Sequence, residues 1–149
     1  MEMILEKKLD VEKLYEKMQD GNEQSLILPP PSFSMMQCEI IDYQEVEKSI
    51  VVKIPVLENW VNPYNTMQGG LIEAAIDNAV GPLSLLSASV NITRSIETKF
   101  IKAVSLDTKY IYVHANLSEQ RKKRLTFEVN VQDSDGEVFT KSKVINFII

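Results

Sequence analysis

Between residues 8 and 19 the apolar positions Val11, Leu14, Tyr15 and Met18 recur at i, i+3, i+4 and i+7. That is the stripe of an amphipathic helix, and Asp10 stands where it can cap it. Asp20-Gly21-Asn22 ends the helix, and Pro29-Pro30-Pro31 predicts an extended connector. Beyond the prolines the period changes to two. Met35 to Tyr43 reads as a first strand, and Ile50, Val52, Ile54 and Val56 alternate with Val51, Lys53 and Pro55 in a second. Ile92 to Ile101 and Tyr110 to Leu117 follow as long strands. Leu125, Phe127, Val129 and Val131 then alternate with Thr126, Glu128, Asn130 and Gln132, so that strand buries one face. Asp135-Gly136 is a hairpin signal leading into a last strand, Val138 to Ile148.

Between the second and third strands the pattern changes again. From Gly70 the chain turns helical, and Leu71, Ile72, Ala74, Ala75, Ile76, Ala79 and Val80 make that helix apolar most of the way round. Such a helix expects enclosure, here by a sheet wrapped around it. Gly81-Pro82 is expected to kink or end its regular part, although Leu83, Leu85 and Leu86 continue the apolar run. The pattern therefore predicts an α+β fold, a long antiparallel sheet wrapped around a central helix. It divides the chain into an N-terminal helix and proline-rich connector, 1–31, and a sheet-and-helix domain, 32–149.

Composition narrows the chemistry. At 149 residues one core is the natural expectation, burying roughly 70% of the unfolded surface. The chain has a single cysteine, Cys38, so it has no intrachain disulfide framework, which suits a reducing compartment. With a single histidine, His114, the common zinc ligand sets are out of reach, and no metal is expected. His114 falls on a strand beside Tyr110 and Tyr112, where a structural imidazole is the expected reading. A net charge of −5 argues against nucleic acid as a partner. The first residues, Met1-Glu2-Met3-Ile4-Leu5-Glu6, lack the basic-then-apolar order of a signal peptide. No run approaches the ~18 apolar residues of a membrane span. A cytoplasmic protein with no membrane partner is expected.

Two acids, Glu73 and Asp77, interrupt the apolar helix at i, i+4 spacing. Glu73 reads as part of a solvated strip. Asp77, among small apolar residues, is expected to sit deeper and to carry chemistry. Gln68-Gly69-Gly70 opens the same helix. Glycines there let a ligand approach the backbone, and the unpaired amides of a helix start favour developing negative charge, as an oxyanion hole requires. A turn needing glycine would look the same. Gly69 and Asp77 are 8 residues apart, which is about 12 Å of helical rise. One reacting carbonyl cannot touch both within a single helix, so joint action requires two subunits.

These residues carry a resemblance. Asn62, the pair Gly69-Gly70, Asp77 in an apolar helix, and the long-stranded sheet that follows resemble the hotdog-fold acyl-CoA thioesterases. The phenylacetic-acid-degradation type, related to the 4-hydroxybenzoyl-CoA thioesterases, is the nearest match, over roughly residues 34–149. The resemblance implies a thioester hydrolase that releases a carboxylic acid and free coenzyme A. It implies Asp77 as general base or nucleophile, the Gly69 amide polarising the thioester carbonyl with help from Asn62, and Ser95 positioning the water. Family members commonly carry histidine before the glycines, where this chain has Gln68, a group that hydrogen-bonds but takes no charge.

The resemblance implies no cofactor apart from coenzyme A as part of the substrate, and a homodimer or dimer of dimers. Arg121-Lys122-Lys123-Arg124, between two strands, is the one dense basic segment and the candidate for coenzyme phosphates; a solvated hairpin tip is the plainer reading. The alternative function is a non-catalytic acyl-CoA or lipid-binding hotdog protein in which Gln68 marks lost chemistry. A hotdog dehydratase needs a histidine near the central helix, and an acyl-CoA-responsive transcription factor needs more than the one helix of residues 1–31.

Overall fold

The alternating segments form six antiparallel strands, and the apolar segment forms the helix that lies across them. The structure, a computed structural model, describes residues 9–149; the reading of Met1 to Glu6 lies outside the described residues. In chain order the elements are α1 (Val11–Gln19), α2 (Pro31–Met35), β1 (Glu39–Gln44), β2 (Ser49–Pro55), α3 (Gly69–Ser87), β3 (Asn91–Phe100), β4 (Tyr110–Arg121), β5 (Arg124–Gln132) and β6 (Val138–Ile148). The strands are ordered β1-β2-β4-β5-β6-β3, so α3 carries the chain from β2 across the sheet to its far edge.

Alternation sorts the strands' side chains. Ile50, Val52 and Ile54 of β2, Ile111, Val113 and Ala115 of β4, and Leu125, Phe127, Val129 and Val131 of β5 form the inner face. Ile72, Ala75, Ile76, Ala79, Val80 and Leu83 of α3 close onto it. Each large apolar side chain buried this way contributes about 1.5–3 kcal/mol. Towards β6 and β3 the inner face turns polar: Thr140, Ser142 and Asn146 are buried on β6, and Ser142 and Thr98 of β3 are hydrogen-bonded at 2.8 Å. β3 itself is exposed along most of its length and, among the described residues, pairs on one side only.

The N-terminal helix forms as its stripe and cap predict. The Asp10 carboxylate accepts from the Lys13 amide, and Leu14 and Met18 are buried in the same core as α3. Three expectations need correction. The connector is extended only up to Pro30. Pro31 opens α2, because proline is preorganised for the first position of a helix and the amide it lacks has no helical partner there. Met35 therefore belongs to α2, and the first strand begins at Glu39. Nor does α3 end at Gly81-Pro82. It runs on to Ser87, with Pro82 and Leu83 buried and the Ser84 hydroxyl donating to the Gly81 carbonyl at 2.7 Å. Burial there outweighs the roughly 3 kcal/mol that an interior proline costs. No helix among the described residues is long and apolar enough to cross a membrane.

Candidate active site

The start of α3 is built by the loop that precedes it. The Asn62 side chain accepts from the Tyr64 and Thr66 amides and donates to the Thr66 hydroxyl at 2.8 Å, closing a tight turn. Gln68 N–H donates to the Trp60 carbonyl and Met67 N–H to that of Val104, which pins both ends of the loop. Gln68 is the N-cap, its Oε1 accepting from the Leu71 amide at 2.9 Å. A β-carbon at residue 70 would lie 3.0 Å from that oxygen, so Gly70 is what lets the cap fold back. The Gly69 and Gly70 amides come before the first amide that the helix itself can satisfy. Neither donates to another group among the described residues. The sequence thus leaves two aligned amides open, with the ring of Phe100 packed over Gly69. Asn62 chiefly organises the turn, and one of its two amide hydrogens is committed to Thr66.

Asp77 lies two turns along α3. Contrary to the expectation of depth, it is exposed in the single chain, whereas Glu73 is half-buried. Helix geometry explains the reversal, since Asp77 projects towards the polar β3 side and not towards the apolar strands. Its Oδ1 accepts a hydrogen bond of 2.8 Å from the Thr93 hydroxyl. Ser95 is a second correction. A bulge between Thr93 and Ser95 makes Thr93 the cross-strand partner of Asn146 and Ser95 that of Ile145. One extra residue flips the parity of the strand, turning Ser95 to the opposite face from Thr93. Sequence alone offered no signal for that bulge.

A cavity of about 310 Å³ opens beside this pair. Tyr15, Met18 and Leu28 from the N-terminal segment, Phe33 of α2 and Leu85 of α3 wall it, and Asp77, Thr93 and Asn146 supply polar groups. The N-terminal helix therefore helps to shape the site, a role its amphipathic pattern did not reveal.

The remaining candidates lie elsewhere. Arg121 and Arg124 are paired at the β4–β5 turn, and all four residues of the basic segment are exposed. Arg124 pairs with Phe147, which pairs with Ile92, one row beyond Leu125, Asn146 and Thr93. The basic tip thus shares an end of the sheet with Asp77, but Arg124 points to the outer face, opposite buried Leu125. His114 also lies on the outer face; burial holds its imidazole below the ordinary 6.5, partly offset by Asp42. Cys38 is a half-buried thiol pushed up to about 12 by desolvation, which leaves it unreactive. No group of three or more metal-ligating side chains occurs among the described residues.

No protein-family profile and no curated protein matches the sequence. Solved structures do. The Escherichia coli PaaI protein of the phenylacetic acid degradation operon superposes with a TM-score of 0.74 at 12% identity, covering 93% of this chain and 97% of that one. The chain has the hotdog fold. A hypothetical thioesterase of Streptococcus pneumoniae, solved with coenzyme A, gives 0.67 at 18% identity over 74% and 86% of the two chains. A Streptococcus mutans protein bound to acetyl CoA gives 0.69 at 13% over 87% and 97%. In hotdog terms, α3 is the central helix and the six-stranded sheet wraps it, as the sequence resemblance implied. Identities this low establish the fold alone.

Proposed function

We propose that this hotdog protein is an acyl-CoA thioesterase-like hydrolase whose active site forms between two copies of the chain. The hydrogen bond from Thr93 to Asp77, at the mouth of a largely apolar cavity, carries the reading. A carboxylate held by a hydroxyl and open to the cavity can take a proton from water or attack a carbonyl directly. In the first route, water oxygen bonds to the thioester carbon while Asp77 takes its proton. The carbon–sulfur bond then breaks, and the coenzyme thiolate leaves and is protonated. The Gly69 amide of the second copy stabilises the oxyanion, with Asn62 supporting its loop. The Streptococcus pneumoniae thioesterase has been solved with an aspartate, and separately a threonine, replaced by alanine; the two are 16 positions apart. Asp77 and Thr93 are also 16 apart.

Three observations support pairing of copies. The two catalytic groups are too far apart along one helix. β3 is a ten-residue strand with one edge unpaired among the described residues, which invites a second copy. Asp77, exposed in one chain, would be covered by a neighbouring α3. The exposed basic tip, Arg121 to Arg124, is proposed to meet the coenzyme phosphates at the end of the sheet. A second reading, binding without turnover, draws on Gln68: its oxygen is engaged by Leu71, so it offers an incoming acyl group less than a free side chain would.

A hydrolysis panel of short, long and aromatic acyl-CoAs tests both readings. Turnover by the wild type that Asp77→Asn abolishes, with folding and oligomer size intact, is the expected result. Equal turnover by Asp77→Asn refutes the assignment, and binding without hydrolysis across the panel favours the second reading.

A further inference from the structure

Glu73 is half-buried on α3 and belongs to neither of the ion pairs found among the described residues. The helix carries no lysine or arginine, so Glu73 and Asp77 are its only charges. The proposed mechanism uses Asp77 and leaves Glu73 without a role.

Helix geometry fixes where Glu73 stands. Each residue turns an α-helix by about 100° and raises it by about 1.5 Å. Glu73 is four residues from Gly69 and four from Asp77, so it lies about 6 Å from each along the axis. Its direction is also midway, about 40° of rotation from either. A second helix that reaches both Gly69 and Asp77 must therefore cross over Glu73. Where Gly69 of one copy works with Asp77 of the other, two-fold symmetry repeats the contact with the copies exchanged. The axis that exchanges them passes the midpoint of the segment, and that midpoint is Glu73. Exposed Gly70 and half-buried Ala74 flank it, so no bulky side chain holds two helices apart there.

Among the described residues no cation is placed to neutralise that contact. On β3, Thr98 and Phe100 take the α3 side, while Glu97 and Lys99 lie on the outer face opposite Lys143 and Lys141. Arg94 stacks over Phe147 on that outer face as well. On α1, Lys13 and Lys17 line the groove beside β1, where Lys17 meets Glu45 at 3.7 Å, and Glu12 and Glu16 are exposed acids. β2, β4 and β5 meet α3 with apolar side chains, and neither α2 nor the loop 61–68 has a charged residue. The charges facing Glu73 between two copies are thus its own counterpart and the two Asp77 groups. Each Asp77 has a Thr93 hydroxyl and the Gly69 amide of the second copy to favour its ionised form, whereas the two Glu73 groups have only each other. We infer that Glu73 meets its own counterpart on the two-fold axis and that the two carboxyl groups share one proton taken from solvent, so that acidity tightens the dimer. This rests on the shared-site reading above.

The test co-refolds two differently tagged full-length chains, wild type and Glu73→Lys, and counts the dimers at pH 8 by native mass spectrometry. A position that meets itself opposes like charges in each pure dimer and opposite charges in the mixed one. Contacts with every other group cancel in that comparison, which leaves the pairwise contact alone. About four-fifths or more of the dimers should be mixed, against about half for random pairing. In fluorescence-detected sedimentation the wild-type dissociation constant should fall about 10-fold or more from pH 8 to pH 6, since one linked proton gives up to about 10-fold per pH unit. Glu73→Gln should lose most of that dependence and dimerise more tightly than the wild type at pH 8. Random pairing overturns the inference, as does a flat wild-type constant or a pH dependence that Glu73→Gln retains in full. A chain that stays monomeric removes both this inference and the shared site. An excess of mixed dimers without hydrolysis of any thioester leaves this inference standing and removes the thioesterase reading.

Discussion

Replacing Gly69 by proline deletes one hydrogen atom of the proposed oxyanion site and disturbs little else. Proline is favoured at the first position of a helix, and the residue before it must be extended. Gln68 already is, with φ −63° and ψ 133°. The Gly69 amide has no partner among the described residues, so no structural hydrogen bond seen there is lost. The added β-carbon meets the Phe100 ring at 3.4 Å, a contact that an exposed side chain absorbs by a small shift. Stability should change by less than about 1 kcal/mol, while kcat falls about 10²–10³-fold with the loss of an oxyanion donor.

The same variant tests where the site is assembled. If Gly69 of one copy works with Asp77 of the other, a hybrid of Gly69→Pro and Asp77→Asn chains contains one doubly damaged site and one intact site. Random exchange of two inactive stocks should then restore about a quarter of the wild-type rate, because a two-fold dimer repeats each contact with the subunits exchanged. The assay is steady-state thioester hydrolysis after co-refolding, with hybrid formation verified by differently tagged chains. Hybrids that form yet remain inactive would show that both groups act within one subunit. Full activity in Gly69→Pro would remove the oxyanion assignment directly.

Thr93→Val removes the hydroxyl from Asp77 while keeping the shape of the side chain. Turnover should fall about 10–100-fold, the worth of a hydrogen bond to a charged group, and Thr93→Ser should restore it; unchanged kcat in the valine variant contradicts the positioning role. His114 binds a proton less readily folded than unfolded, so its contribution to stability is lost as pH falls through the ordinary 6.5 towards its lower folded value. Denaturant titrations between about pH 7 and pH 5 should show a shallower decline for His114→Gln than for the wild type, and parallel curves would count against this. With the Cys38 thiol raised from 9.0 to about 12, alkylation at pH 8 should run about 10³-fold slower in the native protein than in urea. Equal rates would mean the thiol is not desolvated.

Periodicity revealed those elements whose burial is settled within one chain. The Val11–Met18 stripe and the alternation of β2 and β5 lie against this molecule's own core, and the Asp-Gly turn before β6 is fixed by local turn chemistry. The errors arose where a tertiary contact overrode a local preference. The triple proline predicts an extended connector through Pro31, yet Phe33 and Met36 are buried and Asn78 of α3 bonds Ser32, which together hold a short helix there. Gly81-Pro82 is expected to kink or end the helix, yet Pro82 is enclosed with Leu83 and the helix runs on to Ser87. The central acid and the glycine pair were legible because an acid in an apolar helix and glycines at a helix start are locally anomalous.

The residues that were missed cluster at the β3 edge, and the reason is physical. A strand reveals its parity when one face is dry and the other wet. In a single chain β3 is exposed at Ile92, Thr93, Arg94 and Ser95 in succession, so its sequence carries no alternation from which to read which hydroxyl faces α3. The bulge adds a shift that no pattern could show, which is why Thr93 and not Ser95 holds Asp77. The proposed second copy accounts for the same features together. An edge strand that continues into a partner's sheet need not bury its own faces, and an aspartate facing a neighbouring helix need not be buried by its own. Chemistry that forms between copies leaves its residues looking solvated in each copy alone, and on that reading the exposure of Asp77 marks a half-site.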